Sequence, residues 1–204
     1  MSEVLEYHRV TNVAAHGTDE DEARTIETRP SLFKDYGAAE RLPLETSIAG
    51  TLLQDGAGIV RSQERRDYGG GTIHWRAYSS AGALYPVEAY VANAGGLYSF
   101  DALSRALVRT GEDVRARLGL DSREVVILTG IHARTGWKYM ERGYRHVWWD
   151  AGTMLANLLA LAGADGLEPR LYTAFVDAEV NGALGVDGEH EYALALLALG
   201  GPTL

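Results

Sequence analysis

Residues 147–162 are apolar at almost every position, and this segment is the main element that the hydrophobic pattern predicts. Such a pattern is typical of a helix buried in a core. Small residues follow one side of the predicted helix at helical spacing, namely Gly152, Ala156, Ala160 and Gly163. Polar residues follow another side, namely Asp150, Thr153 and Asn157. Because buried polar groups need partners, the helix is either a plain core helix or one that carries a charged catalytic loop at its N-terminus and packs at a subunit interface.

The strand pattern is clearest in two places. Residues 86–93 alternate along an extended segment, and a turn at 94–96 connects them to residues 97–100 in a predicted hairpin. Residues 124–131 form a continuous apolar run of strand length, which indicates a central strand. Residues 192–199 are ambiguous, because their Ala/Leu content favours a helix while their length and position favour a last strand.

Capping and turn residues predict the remaining elements. These are a helix that begins after Thr46 or Ser47 and stops near Gly56, a loop over 61–72, a short helix over 112–118, a strand over 170–176, and a helix that begins at an N-cap, Asp177, and ends at Gly185. Taken in order, the elements predict an α+β fold in which a mixed sheet carries helices on its faces.

The first 28 residues are polar and show no sustained period. We predict a flexible N-terminal arm over 1–28, with a short strand or turn near residues 5–7, and one domain over 29–204. The arm has no apolar stretch of the kind found in signal peptides, so a cytoplasmic protein is expected. A membrane span is disfavoured because Asp150 interrupts the apolar run and one charge at mid-membrane costs about 3 kcal/mol.

Composition removes several classes of function. The net charge of −9 argues against binding of nucleic acid, which depends on Lys/Arg patches. The absence of cysteine excludes disulfides, Cys-ligated zinc, iron–sulfur clusters and a thiol nucleophile. The six histidines show no metal spacing, so no metal site is expected. The Gly56-Ala57-Gly58 segment lacks the third glycine of a dinucleotide fingerprint and follows a predicted helix, and no phosphate-binding P-loop or Gly-x-Ser-x-Gly elbow occurs.

Two polar segments remain as candidates for chemistry. The loop at 76–86 holds an arginine, two hydroxyls and small residues just before a strand, namely Arg76, Ser79, Ser80 and Gly82. Small residues would let a flat ligand approach the backbone, and an arginine can bind phosphate with two parallel hydrogen bonds. The second segment, 137–146, contains two couples of a basic residue and a tyrosine. On the residues alone, the favoured interpretation is an ordinary polar turn for the first segment and a solvated charged turn for the second.

Three blocks at 76–88, 137–146 and 149–160 together resemble SagB-type dehydrogenases, the azoline dehydrogenases of the nitroreductase superfamily. The most specific block reads Lys-Tyr-x-x-Arg-x-Tyr-Arg from Lys138 to Arg145. The resemblance extends from about residue 30 to residue 200. It implies a nitroreductase fold, FMN as cofactor, and an intertwined homodimer with flavin sites at its interface. It also implies that hydride passes from a thiazoline or oxazoline in a modified peptide to flavin N5.

The resemblance carries residue roles with it. Lys138 and Tyr139 fall on the catalytic pair, and Arg142 and Arg145 would supply a cationic environment for that lysine. Arg76, Ser79, Ser80 and Gly82 fall on the flavin-binding loop. Thr173 and Ala174 fall where backbone N–H groups approach flavin N5.

The chain departs from the family pattern at three points. No Arg-Arg-Ser-x-Arg segment for the FMN phosphate is found, which leaves Arg61, Arg65, Arg66, Arg76 or Arg145 for that role. Tyr78 stands where proline is common, and Ala174 stands where glycine is usual. Three hypotheses therefore stay open: an FMN-dependent dehydrogenase of ribosomally made peptides, a flavin-less scaffold subunit that assembles with a cyclodehydratase or another biosynthetic partner, and a small-molecule nitro or quinone reductase.

Overall fold

The computed structural model describes residues 3–11, 29–64 and 71–200. Its strands are β1 Arg41–Pro43, β2 Ile59–Glu64, β3 Thr72–Arg76, β4 Val87–Asn93, β5 Gly96–Asp101, β6 Ala106–Gly111, β7 Glu124–Gly130, β8 Arg170–Tyr172 and β9 Tyr192–Leu199. Its helices are α1 Glu3–Val10, α2 Ile48–Ala57, α3 His132–Tyr139, α4 Gly143–Ala164 and α5 Asp177–Leu184.

Seven strands form one sheet in the order β1-β6-β5-β4-β7-β9-β8, and β2 and β3 form a separate hairpin. The α+β fold of sheet and flanking helices is confirmed. Where we expected a mixed sheet, every strand pair in the described residues is antiparallel. Strands β4 and β7 lie in the middle, so the segments that follow β7 and precede β4 leave the sheet side by side.

The core lies on both faces of β7, whose seven residues are all buried. Val126 and Leu128 pack on one face with α4, while Val125 and Ile127 pack on the other with α5. Burying each such side chain contributes about 1.5–3 kcal/mol. This two-sided burial explains why β7 is a continuous apolar run in the sequence.

Helix α4 is buried along one face only, and this corrects the expectation of a helix buried all round. Val147, Met154 and Leu158 point into the core. The predicted stripe of small residues faces away from the sheet and is exposed, as are Trp148 and Trp149 beside it. The apolar pattern alone could not show which side of the helix its own chain covers. Among the described helices, none is apolar over a length sufficient to cross a bilayer.

Several local predictions are confirmed. Ser47 caps α2, accepting a hydrogen bond from the Gly50 backbone N–H. The predicted hairpin is β4 and β5, and the predicted central strand is β7. Helix α5 ends at Gly185, which adopts a left-handed conformation with φ of 74°. Asp177 is the first residue of α5 rather than its cap.

Four local predictions are wrong or incomplete. Residues 5–7 belong to α1. Of the predicted loop at 61–72, residues 61–64 lie in β2 and residue 72 begins β3, and Arg61 stacks on Trp75 at 4.4 Å across the pair. The predicted helix at 112–118 is only a turn over 115–119, in which the Leu118 N–H donates to the Val114 oxygen at 3.0 Å and the Leu120 N–H to the Arg115 oxygen at 2.9 Å. The strand predicted at 170–176 is shorter, and the ambiguous segment 192–199 is strand β9, paired on both sides.

Candidate functional site

A cleft of about 970 Å³ opens between the β2–β3 hairpin and the loop that joins β3 to β4. We name residues 77–86 the cleft loop. The volume is in the range typical of small-molecule and cofactor sites. The cleft is lined by Trp75 and Arg76 of the hairpin, by Ser79, Ser80 and Gly82 of the cleft loop, and by Lys138 of α3. Sequence-predicted residues from both polar segments therefore meet here.

Gly82 marks the closest approach of the two segments. It has a left-handed backbone, with φ of 65°, and a Cβ at this position would lie 3.0 Å from Tyr139 Oη and 3.1 Å from Lys138 Nζ. A side chain at Gly82 would push the amine and the phenol away from the loop. The left-handed backbone favours glycine, and any Cβ here would displace the ends of both side chains by a few tenths of an ångström.

Arg134 holds α3 in place one helical turn before Lys138. Its guanidinium is 2% exposed and forms an ion pair with Glu88 at 2.6 Å. It also donates to the backbone oxygen of Tyr85 at 2.9 Å and to that of Ser31 at 3.0 Å. One buried side chain therefore joins α3 to the end of the cleft loop and to β4.

Gly143 fixes the junction between α3 and α4. A Cβ there would lie 2.6 Å from the Gly136 backbone nitrogen, so only glycine allows this approach. Thr135 Oγ1 donates to the Gly143 oxygen at 2.9 Å. The segment that carries Lys138 and Tyr139 is consequently helical and closely packed, rather than a charged loop.

The polar line on α4 finds its partners in the cleft loop. The Ala81 N–H donates to Asp150 Oδ1 at 3.4 Å, and Thr153 Oγ1 donates to the Ser79 oxygen at 2.8 Å. One turn further on, Asn157 Nδ2 donates to the oxygens of Ala77 and Gly56, each at 3.1 Å. Three side chains along one side of α4 therefore hold the backbone of the cleft loop against the helix.

Asp150 is a site residue that sequence reasoning noted as polar but did not assign. The side chain is 4% exposed, and burial raises the pKa of its carboxyl to about 6, while hydrogen bonds from Ser80 and Ala81 oppose that rise. Its Oδ2 has no hydrogen-bond partner. Burial, together with the negative charge of Asp150, raises the pKa of Tyr139. The phenol therefore stays protonated at neutral pH and can donate a hydrogen bond.

Backbone strain is concentrated around the same contact. Four non-glycine residues in the described part of the chain have positive φ, and three of them flank the site: Ala83 at 53°, Tyr85 at 44° and Met140 at 52°. Such conformations cost on the order of 1–3 kcal/mol each and persist where function requires them. The fold holds these two segments in a geometry that local propensity disfavours.

Arg76 supplies the positive charge of the cleft. It is 7% exposed, lies over the rings of Phe33 and Tyr85, and its Nε has no hydrogen-bond partner. A cleft of this volume with a buried, unsatisfied guanidinium and two hydroxyls fits a flat cofactor that carries a phosphate, such as FMN. Arg76, Ser79, Ser80 and Gly82 are the residues that could hold it.

The other predicted site residues lie outside the cleft of the single chain. Arg145 Nε donates to Thr11 Oγ1 at 2.8 Å, and Arg142 donates to the Thr11 oxygen at 2.9 Å. Both arginines thus bind the end of the N-terminal helix. Thr173 and Ala174 follow the edge strand β8 and are exposed. Arg65 and Arg66 lie outside the described residues.

Comparisons with known proteins identify several similar chains. The microcin B17-processing protein McbC of Escherichia coli is 29% identical over 133 residues, which are 55% of this chain and 49% of that protein. A crystal structure of a candidate nitroreductase from Anabaena variabilis matches with a TM-score of 0.85 and 26% identity, covering 96% of this chain and 45% of that one. A chain of the E. coli microcin synthetase McbBCD complex with truncated pro-MccB17 bound matches with a TM-score of 0.64 and 21% identity, covering 95% and 74% of the two chains.

The chain spans about half the length of McbC and of the Anabaena protein. The sequence profile described as "Nitroreductase family" matches residues 41–201, which include the cleft loop, α3 and α4. This chain therefore belongs to the nitroreductase family.

Proposed function

We propose that the chain is an FMN-dependent dehydrogenase of the SagB type, which oxidises a thiazoline or oxazoline in a ribosomally made peptide. The observation that carries the proposal is the position of Lys138 and Tyr139 against Gly82 at the cleft. Membership of the nitroreductase family supports an oxidoreductase. The resemblance to SagB-type dehydrogenases supports the substrate class.

The cleft residues have distinct roles in this proposal. Ser79, Ser80 and the backbone around Gly82 would contact the ring of FMN, and Arg76 would provide charge. Bound FMN supplies a two-electron acceptor that takes hydride. Helix α4 keeps the cleft loop rigid through Asp150 and Thr153, so the loop does not reorganise when the cofactor binds.

Lys138 and Tyr139 handle the proton. Conversion of an azoline to an azole removes one hydride and one proton from neighbouring atoms of the ring, so a base must take the proton as the hydride leaves. Lys138 is the base in this scheme, and its amine accepts the proton as the hydride leaves. Tyr139 remains a phenol because its pKa is raised, and it donates a hydrogen bond that orients the amine or the substrate.

A homodimer belongs to the same proposal. The exposed face of α4 carries Gly152, Ala156, Ala160 and Gly163 beside Trp148 and Trp149. Small residues allow close approach of a second backbone, and aromatic residues are enriched at interfaces. Thr173 and Ala174, which do not line the cleft of their own chain, would be expected to reach flavin only in an assembly.

The substrate and further partners are proposed from relatives. McbC is described as a microcin B17-processing protein, and a matching chain lies in a synthetase complex with a truncated pro-peptide bound. We propose a modified peptide as substrate and a cyclodehydratase or another biosynthetic protein as partner. A flavin-less scaffold subunit is the second candidate, favoured by the engagement of Arg142 and Arg145 with Thr11 rather than with the cleft.

Anaerobic mixing of the FMN-loaded protein with an azoline-containing peptide tests the proposal. We expect loss of the flavin absorbance near 450 nm, about one equivalent of azole, and no bleaching with the matched azole peptide. A protein that binds FMN but leaves it oxidised with every azoline peptide, while NAD(P)H-driven reduction of nitro or quinone acceptors is efficient, would assign it to small-molecule reduction instead. A protein that takes up no FMN but purifies with a cyclodehydratase would support the scaffold.

A further inference from the structure

Two arginines are almost completely buried in the described residues, and only one of them has an anionic partner. Arg134 is 2% exposed and pairs with Glu88 at 2.6 Å. Arg76 is 7% exposed, and no carboxylate of the described residues pairs with it. A buried charge without a partner is costly, since both its hydration and its hydrogen bonds are lost.

Aromatic rings hold the Arg76 guanidinium in place but do not satisfy its N–H groups. Its central carbon lies 5.4 Å from the ring centre of Phe33 and 5.1 Å from that of Tyr85. Contacts of this kind attract the cation and fix its plane. The donors remain free for an acceptor that approaches in that plane, and Nε has none.

The free donors belong to the wall of the cleft. Arg76 lines it together with Ser79, Ser80 and Lys138. The Tyr85 hydroxyl accepts a hydrogen bond from the Arg76 backbone N–H at 2.8 Å, which fixes the main chain at this point. A ligand of this cleft can therefore reach the side-chain donors of Arg76.

The other described arginines that could bind such an anion are engaged elsewhere. Arg142 and Arg145 donate to Thr11. Arg61 stacks on Trp75 near the exposed side of the hairpin and donates to Gln63. Among the arginines that the structure describes, Arg76 alone combines burial, a place on the cleft wall and a donor without acceptor.

We infer that Arg76 binds the terminal phosphate of the flavin and so makes the chain selective for FMN over riboflavin. This inference rests on the proposed function. A phosphate monoester presents pairs of terminal oxygens that can accept the two parallel N–H groups of a guanidinium. A carboxylate of the peptide substrate has the same acceptor chemistry and is the competing source of the anion.

The test compares FMN and riboflavin binding to wild type, Arg76→Gln, Arg76→Lys and the matched hairpin control Arg61→Gln. We expect the wild type and Arg61→Gln to prefer FMN. Arg76→Gln should lose about 30-fold or more in FMN affinity, because a buried charge pair is broken, and it should bind riboflavin unchanged. Arg76→Lys keeps the charge but not the planar pair of donors, so its FMN affinity should lie between the two.

The outcomes separate the inference from the function on which it rests. Equal affinity of the wild type for the two flavins, or equal weakening of both by Arg76→Gln in a protein with an unchanged circular dichroism spectrum, overturns the phosphate site and leaves a flavoprotein. Binding of neither flavin to the wild type overturns the proposed function and the inference together. If Arg76→Gln keeps the FMN preference but abolishes discrimination between peptides with a free and an amidated C-terminus, the anion is the substrate carboxylate and the inference is wrong.

Discussion

Strand β7 and the cleft loop lie close together in the fold, but the strand is regular and fully buried while the loop is strained and polar. All seven residues of β7 are buried, and the strand pairs on both sides with β4 and β9. The cleft loop contains positive φ at Gly82, Ala83 and Tyr85, and unsatisfied polar atoms lie in it or against it on Tyr78 and Asp150. The positive φ of the two non-glycine residues and the unsatisfied polar atoms are unfavourable for folding.

The difference shows that the sheet stabilises the fold and that the cleft loop destabilises it. The sheet gains from burial of apolar side chains on both faces, and that gain supports strained and poorly solvated groups beside it. The connection between the two regions is α4, which packs Met154 and Leu158 into the core and directs Asp150 and Thr153 to the loop. Substitutions in β7 should therefore alter stability, and substitutions at the cleft should alter function.

The largest effect is expected at Lys138. Lys138→Ala should retain bound flavin and a native unfolding temperature, but lower the rate of azoline oxidation by about 10²–10⁴-fold, as expected for loss of a general base. Tyr139→Phe keeps the ring and should be less severe. Stopped-flow bleaching of the flavin measures both variants. Wild-type bleaching by Lys138→Ala would show that the amine takes no part in the reaction.

A loss of stability without a loss of activity is expected at Leu128, which is fully buried in β7. Leu128→Ala should destabilise the protein by about 2–5 kcal/mol, since it removes apolar contacts and leaves a cavity. Denaturant unfolding monitored by circular dichroism gives the change. The fraction that remains folded should oxidise substrate at the wild-type rate. A loss of activity per folded molecule would contradict the expectation that substitutions in β7 change stability but not function.

The raised pKa of Asp150 determines how the stability of the protein changes with pH. Its pKa rises from 3.8 to about 6 on folding, so the folded state binds this proton more tightly than the unfolded state. The resulting stabilisation is complete below pH 3.8 and is lost as the pH rises through 6. At neutral pH the buried charge costs roughly 3 kcal/mol relative to the protonated form.

Asp150→Asn removes that dependence while keeping the shape of the side chain. The variant should exceed the wild type in stability at pH 7, by up to about 3 kcal/mol, and the difference should shrink toward pH 4. Paired urea titrations across this range measure the difference, which cancels the titration of all other groups. A difference that does not vary with pH would mean that Asp150 titrates near its ordinary value in the folded protein.

The smallest effect is expected on the exposed face of α4. No atom lies within 4 Å of a Cβ placed at Gly152, so Gly152→Leu costs the single chain nothing and improves helix propensity. In a dimer that uses this face, the larger side chain should weaken association by about 1–3 kcal/mol. Sedimentation over a range of concentrations detects the change. An unaltered association constant would place the interface elsewhere.

The sequence was most informative where one element determines its own pattern. The alternation of residues 86–93 and the apolar run of residues 124–131 predicted β4 and β7, because burial on defined faces sets these patterns. The two polar segments could be identified from residue types together with the family resemblance. Their contact at Gly82 involves residues more than 50 positions apart, and no local pattern encodes it.

Features that depend on tertiary contact were missed. The β2–β3 hairpin is stabilised by the stacking of Arg61 on Trp75, and its glycine-rich, arginine-rich sequence suggested a loop. Arg145 stays a predicted cofactor residue, but its hydrogen bond to Thr11, a residue 134 positions away, has no local pattern in the sequence. The polar line on α4 was visible in the sequence, but its partners in the cleft loop could be found only from the structure.

The central claim is that a flavin binds in the cleft against the cleft loop, with Lys138 and Tyr139 beside it at Gly82. Titration of the purified protein with FMN, followed by visible absorption, tests it most directly when the wild type is compared with Gly82→Val. The account predicts a stoichiometric flavin spectrum for the wild type and loss of flavin binding for the variant, because a β-branched side chain at a φ of 65° distorts the cleft loop. A wild type that remains colourless in excess FMN, or a variant that binds it equally well, would contradict the account.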